Sequence, residues 1–183
     1  EKYDLALKDF ASALKIDPTY DWAINNIAII YGRQGKYELQ IEEYTKAIEL
    51  SLDDPLSYGN RGLTYRDYLK DYEKALADLT KAIELDKNLL AAINAIGNIY
   101  FYAGEYDNAL EIYTELLTQA EELDDKLWIG RSLRKVGNAY YGKGNKDMAL
   151  DYWERSLAIA EELGDKHGMG ASIHNIGIVY YNK

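Results

Sequence analysis

Gly97-Asn98-Ile99-Tyr100 is one of four Gly-x-x-Tyr sequences in this chain of 183 residues. The others begin at Gly62, Gly137 and Gly177, and Ala28-Ile29-Ile30-Tyr31 is a fifth copy with alanine in place of glycine. Successive copies lie 34, 35, 40 and 40 residues apart. A period of this length is typical of one supersecondary unit stacked several times, so it predicts a repeat architecture rather than one large globular core.

Each unit is predicted to form two amphipathic helices, of which the first, helix A, carries the Gly-x-x-Tyr sequence. The second, helix B, is clearest over residues 71–83, where Ala75 and Leu79 share one face at helical spacing. A glycine inside a helix costs about 1 kcal/mol relative to alanine, so its recurrence indicates a close approach of two helices. We expect Gly97 to face a small residue of helix B, such as Ala109.

Short signals mark the predicted ends of these helices. Three glycines lie where a helix A must end and the chain must reverse, namely Gly35, Gly104 and Gly144. Three aspartates precede a helix A and are expected to cap it, namely Asp54, Asp125 and Asp165. Residues 66–71, where one repeat is a residue longer, are expected to form a longer turn without glycine.

This pattern resembles the tetratricopeptide repeat (TPR) family. The matching residues are Trp22, Ile27, Ala28, Tyr31, Gly35, Tyr37 and Ala47 in one repeat, and Tyr3, Ala6, Phe10, Ala13, Asp17 and Pro18 before it. Residues 119–126 and 159–166 lie 40 residues apart and resemble the connectors of a longer TPR variant. The resemblance implies an all-α fold, an α-solenoid of antiparallel helix pairs that forms a right-handed superhelix.

The expected organisation is a single solenoid over residues 1–183. It consists of helix B of a partial repeat at 1–17, repeats at 21–54, 55–89, 90–129 and 130–169, and a final helix A at 170–183. Because the chain begins without methionine and inside a repeat, we expect it to be a fragment of a longer protein.

The resemblance also implies a function, a non-catalytic scaffold that binds a protein or peptide in the concave groove lined by the A helices. Counting from each glycine places these asparagines in that groove: Asn25, Asn26, Asn60, Asn94, Asn98, Asn138 and Asn175. Three aromatic candidates accompany them, namely Phe101, Tyr102 and Tyr141. Side-chain amides can donate to and accept from an extended peptide backbone. Alternatively, these amides hydrogen-bond within the scaffold or face water.

One stretch of this acidic chain is basic. From residue 126 to residue 146 there are six basic residues and no acidic one: Lys126, Arg131, Arg134, Lys135, Lys143 and Lys146. Arg131, Arg134 and Lys135 share one helix face with Asn138. Arginine binds carboxylates through two hydrogen bonds, so this face is predicted to bind an acidic side chain or a free C-terminus of a partner. Alternatively, Glu121, Glu122 or Glu154 balance its charge.

Some TPR domains hold a C-terminal carboxylate with Lys and Asn on three successive A helices. Gly59, Leu63 and Ala95 stand at the matching positions of the two preceding helices, so a complete clamp is not expected.

Composition excludes several other functions. A net charge of −10 argues against nucleic acid or an anionic membrane as the partner. The chain has no cysteine, which fits a cytoplasmic protein, and His167 and His174 lack a third metal ligand at standard spacing. No nucleophile, base and orienting residue are found together, so we expect neither an enzyme nor a cofactor.

Two alternative functions remain open. Terminal helices without a partner, with Ile173, Ile176 and Tyr180 uncovered, would suit a structural module that forms homo-oligomers through its uncapped ends. The chain would also suit the regulatory domain of a larger enzyme or transcription factor.

Overall fold

A computed structural model of the chain describes residues 2–51 and 53–181, and every regular element within them is helical. The α-helices are α1 (Lys2–Ile16), α2 (Asp21–Arg33), α3 (Tyr37–Leu50), α4 (Pro55–Thr64), α5 (Tyr72–Leu85), α6 (Leu90–Tyr102), α7 (Tyr106–Glu122), α8 (Lys126–Gly142), α9 (Lys146–Leu163) and α10 (Lys166–Tyr181). The even-numbered helices are the predicted A helices and the odd-numbered ones the predicted B helices. The prediction of an all-α solenoid of helix pairs is confirmed.

The chain divides into two compact units, an N-terminal unit up to Ala92 and a C-terminal unit from Ile93, and the boundary lies inside α6. In the N-terminal unit α1 packs on α2, α2 on α3, α3 on α4 and α4 on α5. In the C-terminal unit α7 packs on α8, α8 on α9 and α9 on α10. Within each unit these helices pack against their neighbours along the sequence, which is the packing of a repeat protein.

The predicted turn and cap signals are present. Gly35, Gly104 and Gly144 have φ of +73°, +80° and +83° after α2, α6 and α8, a left-handed conformation that favours glycine. The carboxylate of Asp54 accepts from the backbone N–H groups of Leu56 and Ser57 at the start of α4. Asp125 and Asp165 act in the same way at the starts of α8 and α10.

The turn predicted at residues 66–71 is instead largely helical. Here α4 continues as a π-helical turn, Tyr65–Leu69, and Lys70 ends it with φ +57°. A π-helical turn accommodates one extra residue inside a helix, which accounts for the longer repeat. The turn brings Tyr68 onto Tyr37 of α3, with ring centroids 3.8 Å apart and rings 12° from parallel.

The longer repeats add length to the helices. α7, α8 and α9 have 17, 17 and 18 residues, whereas α2, α3 and α5 have 13, 14 and 14. The repeat boundaries expected at 129/130 and 169/170 fall inside α8 and α10, which begin at Lys126 and Lys166.

The repeat glycines face helix B, where the nearest side chain to Gly97 is that of Tyr113. A Cβ atom at Gly97 would overlap the ring of Tyr113, and one at Gly137 would lie 2.7 Å from the ring of Trp153. These partners come sixteen residues after their glycine in both repeats. In α10, by contrast, a Cβ atom at Gly177 would have no neighbour within 4 Å among the residues that the structure describes.

Gly137→Ala and Gly177→Ala should therefore have opposite effects on stability, although the two glycines occupy the same repeat position. Gly137→Ala should lower the free energy of unfolding by about 1–3 kcal/mol, because the ring of Trp153 is buried and cannot move aside. Gly177→Ala should raise it by up to about 1 kcal/mol through helix propensity alone. Urea unfolding followed by circular dichroism measures both, and shifts in the same direction would contradict this packing.

Candidate functional site

The side chain of Asn98 in α6 joins three helices of the C-terminal unit. Its Oδ1 accepts a hydrogen bond from the hydroxyl of Tyr113 in α7 at 2.8 Å and one from Nζ of Lys135 in α8 at 2.7 Å. Nζ of Lys135 also lies 5.8 Å from the centroid of the Tyr113 ring. Since a lysine ammonium only donates, the atom it contacts must be the amide oxygen of Asn98.

Asn138 repeats this arrangement forty residues later. Its Oδ1 accepts from Nε1 of Trp153 in α9 and from Nδ2 of Asn175 in α10, both at 2.9 Å. We call the two sets amide nodes: Asn98 with Tyr113 and Lys135, and Asn138 with Trp153 and Asn175. Each node ties a helix A to its own helix B and to the next helix A.

In the amide nodes, the side-chain oxygens of two predicted groove asparagines accept hydrogen bonds from other residues of the protein. Nδ2 of Asn98 and Nδ2 of Asn138 donate to no other side chain or backbone group in the described chain. These N–H groups lie where consecutive A helices meet.

The remaining predicted asparagines form no hydrogen bonds to other described helices. Nδ2 of Asn26 donates to the backbone oxygen of Trp22 within α2 at 2.8 Å. Oδ1 of Asn25 is buried and accepts no hydrogen bond from the described residues. Asn60 and Asn94 are half-buried, and their amides bond to no other described residue.

Two of the three predicted groove aromatics pack against other helices. The ring of Phe101 meets the edge of Tyr106 with centroids 5.5 Å apart, and Tyr141 lies 5.6 Å from Trp153. Tyr102 is 80% exposed and so remains open to a ligand.

The basic residues of α8, together with Lys143 directly after it, divide into paired and unpaired groups. Lys126 forms an ion pair with Glu162, and Lys143 forms one with Asp107. These partners differ from the glutamates considered in the sequence. Lys135 belongs to the first amide node.

Arg131 and Arg134 form no ion pair with any described residue. Arg131 is exposed, and its guanidinium lies 5.4 Å from the centroid of the Trp128 ring. Arg134 is half-buried in a small depression between α8, α9 and the start of α10, lined by Arg131, Asp165, Leu127, Ile159 and Leu163 among others.

The charge of Arg134 lies in unfavourable surroundings. Burial and the nearby Arg131 both lower the pKa of Arg134, and Asp165 opposes them. An arginine stays protonated in proteins, so this side chain keeps its charge in the depression, where Asp165 is the nearby anion although it forms no ion pair with it. The pair therefore forms a positive site that an incoming carboxylate would stabilise.

The sequence analysis missed an ion pair in the N-terminal unit. Nε and Nη2 of Arg61 in α4 donate to the two carboxylate oxygens of Asp78 in α5, at 2.7 and 2.8 Å. Nη1 of Arg61 donates to Oγ1 of Thr45 in α3 at 2.9 Å. The side chains of Arg61 and Asp78 are only 17% and 10% exposed, so three helices meet at a largely buried charge pair.

Repeat register could have located this pair. Asp78 comes sixteen residues after Gly62, the position that Tyr113 and Trp153 hold after their own glycines. Arg61 precedes its glycine, where Ile96 and Val136 stand in later repeats. A charged residue at each of two positions that are otherwise apolar or aromatic indicates an ion pair between them.

The family follows from comparison with known proteins. Tetratricopeptide repeat family models match residues 23–54 and 56–89, and residues 88–162. The chain is a tetratricopeptide repeat protein. Its Gly-x-x-Tyr sequences are thus the TPR helix A sequences, and its helix pairs are TPR repeats.

Two similar proteins match parts of this TPR chain. Hsp70-Hsp90 organizing protein 2 of Arabidopsis thaliana is 37% identical over 81 residues, which are 44% of this chain and 14% of that protein. BBSome complex member BBS4 of Xenopus tropicalis is 29% identical over 121 residues, 66% of this chain and 23% of that protein. The chain thus spans less than a quarter of the length of either relative.

Solved structures of TPR proteins share the fold. MamA has a TM-score of 0.76 at 24% identity, covering 89% of this chain and 91% of that one. YrrB, described as a TPR protein with an unusual peptide-binding site, has a TM-score of 0.71 at 20% identity, covering 94% and 82%. At these identities the likeness concerns the fold alone.

Over residues 2–51 and 53–181, no helix is long and apolar enough to cross a bilayer. In the same residues no three His, Cys, Asp or Glu side chains are grouped as metal ligands would be.

Asp78→Ala should be strongly destabilising, because it leaves Arg61 charged and largely buried without its carboxylate. We expect a loss of about 3 kcal/mol in the free energy of unfolding. Glu84→Ala, which removes the exposed ion pair with Lys81 from the same helix, should cost less than about 1 kcal/mol. Urea unfolding measures both, and equal losses would show that the Arg61–Asp78 pair contributes no more than a surface pair.

Proposed function

We propose that this TPR protein is a non-catalytic scaffold that binds an acidic segment of a partner protein on the A helices of its C-terminal unit. The observation that carries the proposal is that Arg131 and Arg134 have no ion-pair partner in the described chain. This is unusual in a protein of net charge −10, where carboxylates are abundant.

Electrostatics favour an acidic ligand at this site. The neighbouring lysines of α8 already have partners, Glu162 for Lys126 and Asp107 for Lys143. Arg134 is partly shielded from water, so a carboxylate that reached it would form a stronger hydrogen bond than one at the open surface. Acidic side chains or a free C-terminus would both supply that carboxylate.

The amide nodes supply binding that does not depend on ligand sequence. Nδ2 of Asn98 and Nδ2 of Asn138 would donate to backbone carbonyls of an extended segment, and the exposed ring of Tyr102 would pack on an apolar side chain. Because the nodes fix both asparagines in place, little side-chain entropy is lost on binding.

The relatives support a scaffold role. One is named as an organizing protein of Hsp70 and Hsp90, another as a member of the BBSome complex, and YrrB is described as having a peptide-binding site. The proposed location is the cytoplasm, which suits a chain without cysteine. A scaffold of this kind also suits the regulatory part of a larger enzyme or transcription factor, an alternative that the full-length sequence would test.

Binding of fluorescent peptides measured by anisotropy tests the proposal. An acidic peptide should bind more tightly than a basic one of equal length, and salt should weaken its binding. The double variant Arg131→Gln, Arg134→Gln should weaken it about tenfold or more, because each lost charged hydrogen bond is worth about 1.5–3 kcal/mol. An acidic peptide with an amidated C-terminus shows whether side chains or the terminal carboxylate are bound.

The matched control is Lys126→Gln, Lys143→Gln, which changes the net charge equally but removes lysines that already have partners. It should change the affinity much less. Equal effects of the two double variants, or no preference for the acidic peptide at low salt, would overturn the proposal.

A further inference from the structure

A cleft of about 510 Å³ lies between α1, α2 and α3 of the N-terminal unit. Leu7, Ala11 and Leu14 of α1 and Ile27 of α2 form its apolar part. The buried carboxylate of Glu43 in α3 also lines it. The volume falls within the range of about 300–1,000 Å³ that ligand sites occupy.

One repeat later, between α3, α4 and α5, a side chain fills the corresponding space. There the guanidinium of Arg61 donates to Asp78 and Thr45. Positions are compared by counting from the first tyrosine of each helix B, because the π-helical turn adds a residue between α4 and α5. The counterparts of these three residues all line the cleft, namely Ile27 for Arg61, Glu43 for Asp78 and Ala11 for Thr45. Since isoleucine is shorter than arginine and carries no charge, the cleft stays open.

The cleft lies on the side of α1 that faces the following repeat. In α3, Gln40 faces the helix A of its own repeat, because a Cβ atom at Gly32 of α2 would lie 2.7 Å from it. Thr45 of α3 instead contacts the following helix A. Ala11 is the counterpart of Thr45, so the cleft is formed by α1, α2 and α3 themselves and does not depend on where the chain begins.

The charges beside this space are reversed between the two repeats. In α3, the residues three before and four after Thr45 are glutamates, which share its helix face and suit the cation of Arg61. In α1, the residues three before and four after Ala11 are Lys8 and Lys15, which line the open cleft. Both lysines are exposed, and neither forms an ion pair with any described residue. The cleft therefore suits an anion where its counterpart holds a cation.

The other charges of the cleft leave it positive. Glu43 is paired with Lys46, whose Nζ lies 2.6 Å from the carboxylate, so these two charges balance. Glu49 lines only a continuation of the cleft, which neither Lys8 nor Lys15 lines. Two lysines without an ion pair thus border an apolar cleft in a chain of net charge −10. Charge complementarity favours an acidic occupant with an apolar part.

The spacing of the lysines sets the spacing of the acidic groups. Lys8 and Lys15 are seven residues apart, which is two helical turns or about 10 Å along α1. Three residues of an extended chain span about the same distance. A segment with two acidic residues three positions apart, and apolar residues between them, would contact both lysines and the apolar lining.

We propose that the cleft between α1, α2 and α3 binds such a segment of a partner protein. Its apolar side chains fill the space that Arg61 fills one repeat later, and its carboxylates bind Lys8 and Lys15. The cleft shares no residue with the site proposed on α8, and the inference does not rest on that site.

Anisotropy of a fluorescein-labelled peptide with the core Glu-Leu-Leu-Glu tests the proposal. The full chain carries Arg131→Gln and Arg134→Gln in these measurements, so that the α8 site does not contribute. Peptides with the cores Glu-Ser-Ser-Glu and Lys-Leu-Leu-Lys should bind at least about tenfold more weakly, because each lacks one half of the match. Equal affinities for the three peptides would overturn the proposal and leave the α8 site untouched, as would binding of decanoate without binding of any peptide.

Removing the two lysines tests the charged half of the match. Lys8→Gln, Lys15→Gln should weaken binding of the Glu-Leu-Leu-Glu peptide about fivefold. The matched control is Arg33→Gln, Lys87→Gln, which removes the same charge from exposed positions of the same unit that do not line the cleft. It should leave the affinity nearly unchanged, and equal losses in both double variants contradict binding in the cleft.

Filling the cleft tests the apolar half. Ala11→Phe places a ring in the cleft from an exposed position, so it should abolish peptide binding while the chain stays folded. Ala77→Phe adds the same bulk to an exposed position of α5 and should bind like the parent. Circular dichroism verifies that both variants are helical. Parental affinity in Ala11→Phe would show that the peptide does not enter the cleft.

Discussion

Each helix pair of the C-terminal unit depends on one steric relation: the side chain sixteen residues after a glycine fills the space where that glycine lacks a Cβ atom. Tyr113 does this for Gly97 and Trp153 does it for Gly137. The relation fixes how closely helix A approaches helix B. The same packing holds the ring so that its O–H or N–H group donates a hydrogen bond to the amide oxygen of Asn98 or Asn138 on helix A. Packing thereby determines where the polar contacts of the groove lie.

The α4–α5 pair of the N-terminal unit has a charge pair at this position. Counted from the glycine, Asp78 stands where Tyr113 and Trp153 stand in later repeats, Arg61 supplies the opposite charge, and the Leu79 side chain lies nearest to Gly62. Helix pairs of both units have the same backbone arrangement, and they differ in the side chains that lie between helix A and helix B. Amide nodes therefore occur in one unit and a buried ion pair in the other.

Local features could be predicted from the sequence, and contacts between distant residues only in part. The period, the positive-φ glycines such as Gly104 and the capping aspartates such as Asp125 depend on a few neighbouring residues. The partners of Lys126 and Asn98 lie 36 and 37 residues away along the chain. The sequence analysis considered other glutamates for the basic residues and left the partners of the amides open. The extra residue near Tyr68 was assigned to a turn because a π-helical turn has no sequence signature of its own.

The contact between Arg61 and Thr45 has a consequence for the modularity of the chain. Repeats of this kind are regarded as interchangeable parts that recombination or design can reorder. Because Arg61 bonds both to its own helix B and to the helix B before it, the α4–α5 pair is matched to one upstream neighbour. A chimaera that moved this pair elsewhere would have to carry α3 with it, just as moving the α8–α9 pair would separate Lys135 from Asn98 of α6.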